Sequence, residues 1–345
     1  MRIAQVRIAV IFLPTALAAL AAAPETRAQD FYAEKSIRII TSTGSGGTYD
    51  IIARMAARHL PKYIPGSPSV VVQNMPGGGH MLASNHIYNL AEKDGTVLGV
   101  LNQNVPAHQV LDGRGVRYDA RKFNWIASLG DRNQTFVTWH TSGLNTFEDV
   151  LKKGAIAGAT GEGSSGFRYP TAINNVLGAK IKIVKGYKNA GDVELAMSRG
   201  EVNAQAHSYT AFLTGHADWL REKKITFVLQ MGPKRDRDLP DVPLWTDFAK
   251  TPEDKAVLNL IGSSVTLGRP FLAPPGLPAD RVALLRKAFL ATFADKTFVA
   301  EAAKQRIDVE VLTGEELQQI VDGMVGSSPA VIARAKIAMG IKKRK

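Results

Sequence analysis

The hydrophobic pattern alternates along the chain between short β-branched runs and longer segments with apolar residues at helical spacing. Short runs predict strands, and a spacing of three to four residues predicts helices with one buried face. Strands are predicted over residues 37–41, 70–73, 96–101, 125–129, 135–139, 156–159, 181–184, 202–206 and 226–230. Helices are predicted over 51–60, 82–90, 146–152, 167–177, 192–199, 211–222, 255–260, 279–294, 297–305 and 314–324. This alternation indicates an α/β protein with largely parallel sheets.

The first predicted strand runs through a glycine-rich turn into a helix. The turn, called the first loop below, reads GSGGT at residues 44–48. Unpaired N–H groups and the partial positive charge of a helix start suit such a turn to binding an anion. Its spacing fits neither the G-x-G-x-x-G dinucleotide fingerprint nor the P-loop, which argues against a nicotinamide cofactor and a nucleoside triphosphate. A structural turn without a ligand is the alternative.

Two further glycine clusters also follow a predicted strand and precede a helix. The second reads NMPGGGH at 74–80, and the third reads GEGSSG at 161–166; the third is called the middle loop. In open α/β sheets such loops lie at the carboxyl ends of strands, where ligands bind. Because the first loop and the middle loop belong to different halves of the chain, we expect them to form the two sides of one cleft.

The N-terminus has the pattern of a secretory signal. Arg2 and Arg7 precede an apolar run over 8–23, and a small-residue cleavage site ends at Ala28, with Ala23 as the alternative. The run is short for a membrane span, which needs about 20 residues. Because the sequence contains no Cys, a lipoprotein anchor and a disulfide framework are both excluded. We therefore expect residues 1–28 to be a signal peptide and the mature protein to be periplasmic.

The size and charge of the mature chain limit its class. Removing 28 residues from 345 leaves 317, enough for two domains with two cores. The formal charge of +12 falls to +10 when three Arg and one Glu leave with the signal. Part of this charge lies in a basic tail at 341–345, and the other basic residues are scattered singly, which is typical of a solvated surface. No nucleic-acid partner is expected.

The order of the motifs resembles that of a known receptor family. GGTYD at 46–50 is followed by VVVQNMPGGG at 70–79. This pattern resembles the periplasmic substrate-binding proteins of tripartite tricarboxylate transporters, the Bug-type or TctC-like receptors. Further similar segments follow in order over nearly the whole mature chain: KDGTVL at 93–98, the middle loop, GYKNA at 186–190, LPDVP at 239–243 and LAPPGLP at 272–278.

The resemblance implies a type II-like periplasmic-binding-protein clamshell. Each of its two domains is a mainly parallel sheet flanked by helices. Domain 1 is expected to combine residues 29–130 and 240–340, and domain 2 to comprise residues 131–239. The family also implies that a ligand carboxylate is gripped largely by backbone amides and ordered water. These roles carry over to Ser45, Gly46, Gly47 and Thr48 in the first loop and to Gly163, Ser164 and Ser165 in the middle loop.

Several polar residues near these loops also have expected roles. Asp50 matches an acidic residue of the family and is expected to fix the first loop, because a carboxylate would repel a bound carboxylate. Arg168 is either a partner for a second ligand carboxylate or a solvated helix residue. Gln103, Asn104 and Ser208 follow predicted strands and are expected to line the cleft, with a strand-end polar role as the alternative.

The residues favour a receptor over an enzyme. Neither serine of the middle loop has glycine two residues before and two after it, as a nucleophile elbow requires. The seven His residues lack metal-ligand spacing. The sequence therefore predicts a monomeric receptor for a small organic mono- or dicarboxylate, without catalytic residues, metal or cofactor, which delivers its ligand to the permease subunits of a tripartite tricarboxylate transporter. A secreted α/β hydrolase and a binding protein for signalling are the alternatives.

Overall fold

The computed structural model describes residues 31–46, 48–130, 132–160, 164–187, 190–305 and 307–341. The predicted signal peptide at 1–28, Gly47, Gly163 and residues 342–345 of the basic tail lie outside the described residues. No helix among the described residues is long and apolar enough to cross a bilayer.

The strands form two mixed sheets. The first sheet has the order β11-β4-β10-β3-β1-β2 and the second β7-β6-β8-β5-β9. Strands of the first sheet are β1 Ser36–Thr41, β2 Ser69–Asn74, β3 Val97–Val100, β4 Asn124–Leu129, β10 Arg269–Ala273 and β11 Val311–Thr313. Strands of the second sheet are β5 Gln134–Trp139, β6 Ala155–Ala159, β7 Ile181–Lys185, β8 Ala204–Ser208 and β9 Ile225–Met231.

Most strands in each sheet share one direction. In the first sheet β1, β2, β3 and β4 run the same way, whereas β10 and β11 are reversed. In the second sheet only β5 is reversed, because it is antiparallel to both β8 and β9. The predicted fold class, an α/β protein with two sheets flanked by helices, is confirmed, and both sheets are mixed, with four parallel and five antiparallel strand pairs.

The helices cover the faces of the sheets. The α-helices are α1 Thr48–His59, α2 Met81–Asn89, α3 Val105–Leu111, α4 Phe147–Lys153, α5 Ser165–Ala172, α6 Ala190–Ser198, α7 Tyr209–Gly215, α8 Ala217–Arg221, α9 Pro252–Thr266, α10 Ala279–Ala294, α11 Lys296–Lys304, α12 Gly314–Val325 and α13 Pro329–Ala338. A π-helical turn, Ile173–Leu177, continues α5. Short 3₁₀ helices are Leu60–Tyr63, Gly78–His80, Ala120–Lys122 and Trp245–Phe248.

Side-chain caps fix several helix starts. The Thr146 hydroxyl accepts from the Asp149 N–H at 3.1 Å, and the Asp149 carboxylate accepts from the Thr146 N–H at 3.2 Å. The same reciprocal pair forms between Thr313 and Glu316 at the start of α12. Such boxes satisfy two N–H groups that have no partner inside the helix. The local sequence therefore determines where these two helices begin.

The strand register determines which edges of the sheets are joined. Gln134, which starts β5, pairs with Ser208 and Met231, which end β8 and β9. Arg269, which starts β10, pairs with Leu129, which ends β4. The connections between the sheets cover residues 130–133 and 232–268. Each of them therefore leaves one sheet at the edge where most of its strands end, the carboxyl edge, and enters the other sheet at its carboxyl edge. The loops expected to bind ligand lie on the sides where the two sheets are joined.

The apolar core has three parts. One cluster covers the outer face of the first sheet against α1, α10 and α11, and another covers the outer face of the second sheet. The third contains buried residues of both sheets, including Trp125, Phe136, Tyr169, Trp245 and Leu317. Because this third cluster contains residues of both sheets and of α9, α12 and α13, the expectation of two separate cores is wrong.

Candidate functional site

Asp50 anchors the first loop to the start of α1. Its carboxylate is 3% exposed and accepts hydrogen bonds from the Gly46 N–H at 2.9 Å and the Asn74 amide at 2.9 Å. Arg54 contacts both carboxylate oxygens at 3.0 Å. Burial alone would raise the pKa of Asp50, but the bonds from Arg54, Gly46 and Asn74 outweigh it and lower the pKa to about 2. The expectation that Asp50 fixes the loop is confirmed.

The same contact corrects the role expected of Gly46. Its N–H already donates to the Asp50 Oδ2 atom, so this amide is engaged within the loop. Its φ of +83° lies in the left-handed region, which favours glycine. Gly46 therefore acts through the shape of the turn. Ser45 and Thr48 on either side are exposed, and the expected contact at Gly47 lies outside the described residues.

Polar groups of residues 41–43 tie the first loop to its neighbours. The Ser42 hydroxyl accepts from the Asn102 N–H at 3.1 Å, and Asn74 donates to the Thr43 carbonyl at 3.1 Å. His80 Nδ1 lies 3.1 Å from the Ser42 carbonyl, and because a carbonyl only accepts, this nitrogen carries the hydrogen. These three bonds join the loops after β1, β2 and β3 into one unit.

His80 was assigned no site role from the sequence, and this contact was missed. The residue has a φ of +79°, which is uncommon for a side chain other than glycine. Such a conformation persists only where the surroundings hold it. The Ser42 carbonyl provides one such contact. A histidine directly after three glycines was the available signal, but its partner, 38 residues earlier, is visible only in the fold.

Gln103 and Asn104 lie beside the first loop, at the carboxyl edge of the first sheet. The Gln103 N–H donates to the Tyr49 hydroxyl at 3.1 Å, and that hydroxyl donates to the Gly268 carbonyl at 3.3 Å. The Asn104 N–H donates to the Asn102 side chain at 2.9 Å, and the Asn104 side chain is exposed. The structure thus brings both predicted residues together with the first loop.

The described part of the middle loop starts α5 at the carboxyl end of β6. The Ser164 carbonyl accepts from the N–H groups of Phe167 and Arg168 at 3.1 Å and 2.9 Å, which is the first turn of the helix. A Cβ atom on Gly166 would lie 3.2 Å from the Gly158 carbonyl oxygen, so glycine permits the close approach of α5 to β6. Ser165 is exposed and Arg168 is half-buried. Gly163 lies outside the described residues.

The side chain of Lys185 lies against Phe167, which precedes Arg168 in α5. The Lys185 ammonium, at the carboxyl end of β7, is 5.3 Å from the centre of the Phe167 ring. Cations are attracted to the faces of aromatic rings at such distances. Sequence reasoning missed Lys185, because it ends an edge strand that also carries exposed Lys182, and lysines on edge strands are ordinary.

Ser208 lies at the carboxyl end of β8 and caps α7. Its hydroxyl oxygen accepts from the Ala211 N–H at 3.2 Å, and its own N–H donates to His207 Nδ1 at 2.8 Å. A hydroxyl that accepts a capping bond still has a hydrogen to donate. Ser208 is half-buried, on the same edge of the second sheet as the middle loop. This capping bond agrees with the alternative expected for Ser208, a polar role at the end of a strand.

An ionic cluster joins the two connections between the sheets to Asp308, which precedes β11. The Arg132 guanidinium is 4% exposed and forms ion pairs with Asp236 at 2.9 Å, with Asp238, and with Asp308 at 3.4 Å. The Tyr209 ring centre lies 5.1 Å from this guanidinium. The carboxylates come from sequence positions more than 100 residues away, so the sequence carried no signal for the cluster.

Two cavities lined by described residues lie away from these loops. One of about 490 Å³ is lined by Asn124, Leu277, Arg286 and Glu315, among others. Another, of about 550 Å³, lies between α9 and α12. Neither is lined by a predicted site residue. Among the residues that the structure describes, no group of three or more His, Asp or Glu side chains is arranged to hold a metal ion.

Comparisons with known proteins identify chains of similar sequence and fold. No family model matches the chain. A UPF0065 protein of Cupriavidus necator is 23% identical over 344 residues, which cover 94% of each chain. A TctC solute-binding protein from Polaromonas superposes with a TM-score of 0.69 and 17% identity, over 90% of this chain and 98% of that one.

Two further structures are similar over most of their length. The periplasmic binding protein BugD superposes with a TM-score of 0.60 and 22% identity, over 91% of this chain and 100% of its own. MatC from Rhodopseudomonas palustris, solved with bound malate, superposes with a TM-score of 0.59 and 19% identity, over 88% of this chain and 99% of that one. The resemblance inferred from the sequence motifs is therefore confirmed at the level of structure: the chain has the fold of the TctC and Bug-type solute-binding proteins.

Proposed function

We propose that this chain is a periplasmic receptor that binds a small organic carboxylate between its two sheets. The observation that carries the proposal is the register of the strands. Both connections run between carboxyl edges, and the first loop and the middle loop lie on those edges. Ligands of open α/β sheets bind at such edges. The likeness to MatC, solved with malate, supports a carboxylate as the ligand.

In this proposal neutral donors hold the anion. The N–H groups of Gly47, Thr48 and Ser164 supply most of the hydrogen bonds, and the exposed hydroxyls of Thr48 and Ser165 add one each. The Gly46 N–H takes no part, because it is bonded to Asp50. Glycine at position 47 lets the anion approach the backbone closely.

The remaining predicted residues surround the rest of the ligand. Gly163 completes the middle loop, Gln103 and Asn104 line the side of the first sheet, and Ser208 lines the side of the second. Arg168 contacts a second carboxylate where the ligand has one. The long-range pairing of Gln103 with Tyr49 supports its place beside the first loop.

The proposed receptor changes shape rather than performing chemistry. Domain 1, over 29–130 and 240–340, and domain 2, over 131–239, close around the ligand about the connections at 130–133 and 232–268. The closed monomer presents a new surface to the permease subunits of a tripartite tricarboxylate transporter. No catalytic residue, metal or cofactor is part of this proposal.

Native mass spectrometry of protein purified gently from the periplasm tests the proposal. The expected species lacks residues 1–28 and retains an unmodified small carboxylate, which is then identified after release. Incubation of that acid with the protein should leave it unchanged. Chemical conversion of the acid would instead support the hydrolase alternative, and failure to bind any carboxylate in titration calorimetry would contradict the receptor.

A further inference from the structure

Helix α13 lies between the two sides of the proposed site. It packs against α3, which begins directly after Asn104 on the side of the first sheet. It also packs against α5, which begins at the middle loop on the side of the second sheet. Ala335 and Ala338 of α13 are buried in the core cluster that both sheets share. The two sides therefore cannot close on a ligand without changing the contacts of α13 with one of them.

Asn175 fastens the end of α13 to the side of the second sheet. It lies in the π-helical turn that continues α5, and its amide donates to the carbonyls of Ile337 at 3.3 Å and Ala338 at 3.1 Å. The last four carbonyls of a helix have no α-helical partner, so these bonds cap α13. Gly340 lies directly on α5, because a Cβ atom there would be 3.3 Å from Thr171 Cγ2.

Helix α9 also joins α13 to the side of the second sheet. Arg334 of α13 pairs with the buried Asp254 carboxylate near the start of α9. A Cβ atom on Gly262 of α9 would lie 3.1 Å from the Trp245 ring, and that ring lies 5.7 Å from the Tyr169 ring of α5. These contacts run without interruption from α13 through α9 to the helix that begins at the middle loop.

The contacts of α13 with the side of the first sheet are apolar. Side chains such as Leu111 of α3 and Ala335 of α13 share one apolar cluster, and no hydrogen bond or ion pair joins the described residues of these two helices. Helix α12 is instead bonded to that side, because the Gln318 amide donates to the Arg121 carbonyl at 3.0 Å. The cavity of about 550 Å³ lies between α12 and α9. Packed helices without directional bonds can slide past one another, and this cavity leaves room for such a movement.

We propose that α9 and α13 move with the second sheet, so that the chain crosses between the two moving parts three times. The first two crossings lie at 130–133 and at 267–268, where the Ser128 hydroxyl donates to the Leu267 carbonyl at 2.6 Å. The third is the link 326–328, which reads GSS and joins α12 to α13. Hinges are often made of such small residues. Residues 240–266 and 329–341 then belong to the second moving part instead of the first.

This inference rests on the proposed function and gives α13 a role within it. As the two sides close, α13 slides against α3 and keeps its bonds to α5. Helix α5, and the middle loop at its start, are thereby held in one orientation while the gap to the first loop changes. Asn175 is a positioning residue, because it acts through α13.

Distances between pairs of spin labels test the inference. The sequence contains no Cys, so each label can be attached to a newly introduced cysteine. Ala333→Cys in α13, Lys152→Cys in α4 and Lys287→Cys in α10, all at exposed positions, carry the labels in pairs. Double electron–electron resonance measures the three distances with and without saturating malate, succinate or citrate. When an acid binds, the distances from position 287 to positions 152 and 333 should both shift, whereas the distance between 333 and 152 should stay constant.

Asn175→Ala tests the docking of α13 without any added acid. Loss of the two bonds should broaden the distribution of distances between positions 333 and 152. Asn89→Ala is the matched control, because the Asn89 amide also donates to two backbone carbonyls, both at 2.9 Å, but on the side of the first sheet. It should leave that distribution unchanged. An unchanged distribution in Asn175→Ala, or an equal broadening in both variants, would overturn the inference.

The label distances distinguish a failure of this inference from a failure of the proposed function. If the distance between 287 and 152 shifts while that between 287 and 333 stays constant, closure stands and the inference is wrong. If an acid binds and no distance shifts, closure itself is wrong and the inference fails with it. If none of the three acids binds, the proposed function and the inference fail together.

Discussion

Asn133, in the first connection between the sheets, donates a buried hydrogen bond of 2.7 Å to the side-chain oxygen of Gln230 in β9 and another of 2.7 Å to the Lys234 carbonyl in the second connection. The Gln230 side-chain oxygen also accepts from the Asp236 N–H at 2.8 Å. The Gln230 amide donates onward to the carbonyls of Leu239 and Val242 at 2.9 Å and 2.6 Å. The start of the long connection is thereby fastened to β9, and we expect it to move with the second sheet during closure.

Gly232→Ala should destabilise the protein by about 1–3 kcal/mol, because the added methyl group overpacks this cluster. A Cβ atom at this position would lie 1.7 Å from the Asn133 Oδ1 atom. Chemical denaturation followed by circular dichroism measures the free energy of unfolding. Gly323→Ala is the control, since its Cβ meets nothing within 4 Å inside a helix and should stabilise slightly. Equal effects of the two substitutions would contradict the packing seen here.

Arg132→Ala should cost about 3–5 kcal/mol of stability, because it leaves the buried Asp236 carboxylate without its cation. Asp308→Asn should cost less than about 1 kcal/mol, since Asp308 is 42% exposed and Arg132 keeps two other partners. Unfolding in urea at low and high salt compares the two variants. If Asp308→Asn lowered the free energy of unfolding more than Arg132→Ala does, the order expected from burial would be contradicted.

Asp50 should make the protein sensitive to acid. Because its folded pKa of about 2 lies below the unfolded value of 3.8, the carboxylate stabilises the fold above about pH 4. This contribution, about 2 kcal/mol, is lost as the pH falls toward 2. Melting temperatures of the wild type and Asp50→Asn should therefore differ most at neutral pH and converge in acid. A difference that stays constant between pH 7 and pH 2 would argue against this carboxylate as the cause.

Substitutions in and beside the middle loop should distinguish a neutral hydrogen bond to the ligand from an ion pair with it. Ser165→Ala should weaken carboxylate binding by about 1 kcal/mol, the usual value of one hydrogen bond. Arg168→Ala should cost about 2–5 kcal/mol for a dicarboxylate and little for the matching monocarboxylate, if Arg168 pairs with the second carboxylate. Titration calorimetry gives both values. An unchanged dicarboxylate affinity in Arg168→Ala would remove Arg168 from the site.

Hydrophobic periodicity was sufficient to predict most elements of the fold. All nine predicted strands are present, and α10 has the predicted bounds. Four elements were missed: β10 with five residues, β11 with three, α3 with seven and α13 with ten. The predicted helix over 211–222 is divided into α7 and α8 at His216. Elements as short as β11 and α3 show too few turns or alternations to be distinguished from loops.

The candidate site was predictable only where its signals are local. Glycine-rich turns mark the first and middle loops, and the place of Asp50 near a helix start marks its role. Contacts between residues far apart in the sequence have no such local signal. The engagement of the Gly46 N–H, the bond from His80 to Ser42 and the Arg132 cluster all depend on partners that only the fold brings together.

The central claim is that a ligand carboxylate is held between the first loop and the middle loop. A crystal structure of the protein with its tightest-binding acid tests this most directly. The account predicts one carboxylate within hydrogen-bond distance of the Thr48 and Ser165 hydroxyls, with the Gly46 N–H still bonded to Asp50. An acid bound elsewhere, for example in the cavity between α9 and α12, would contradict it.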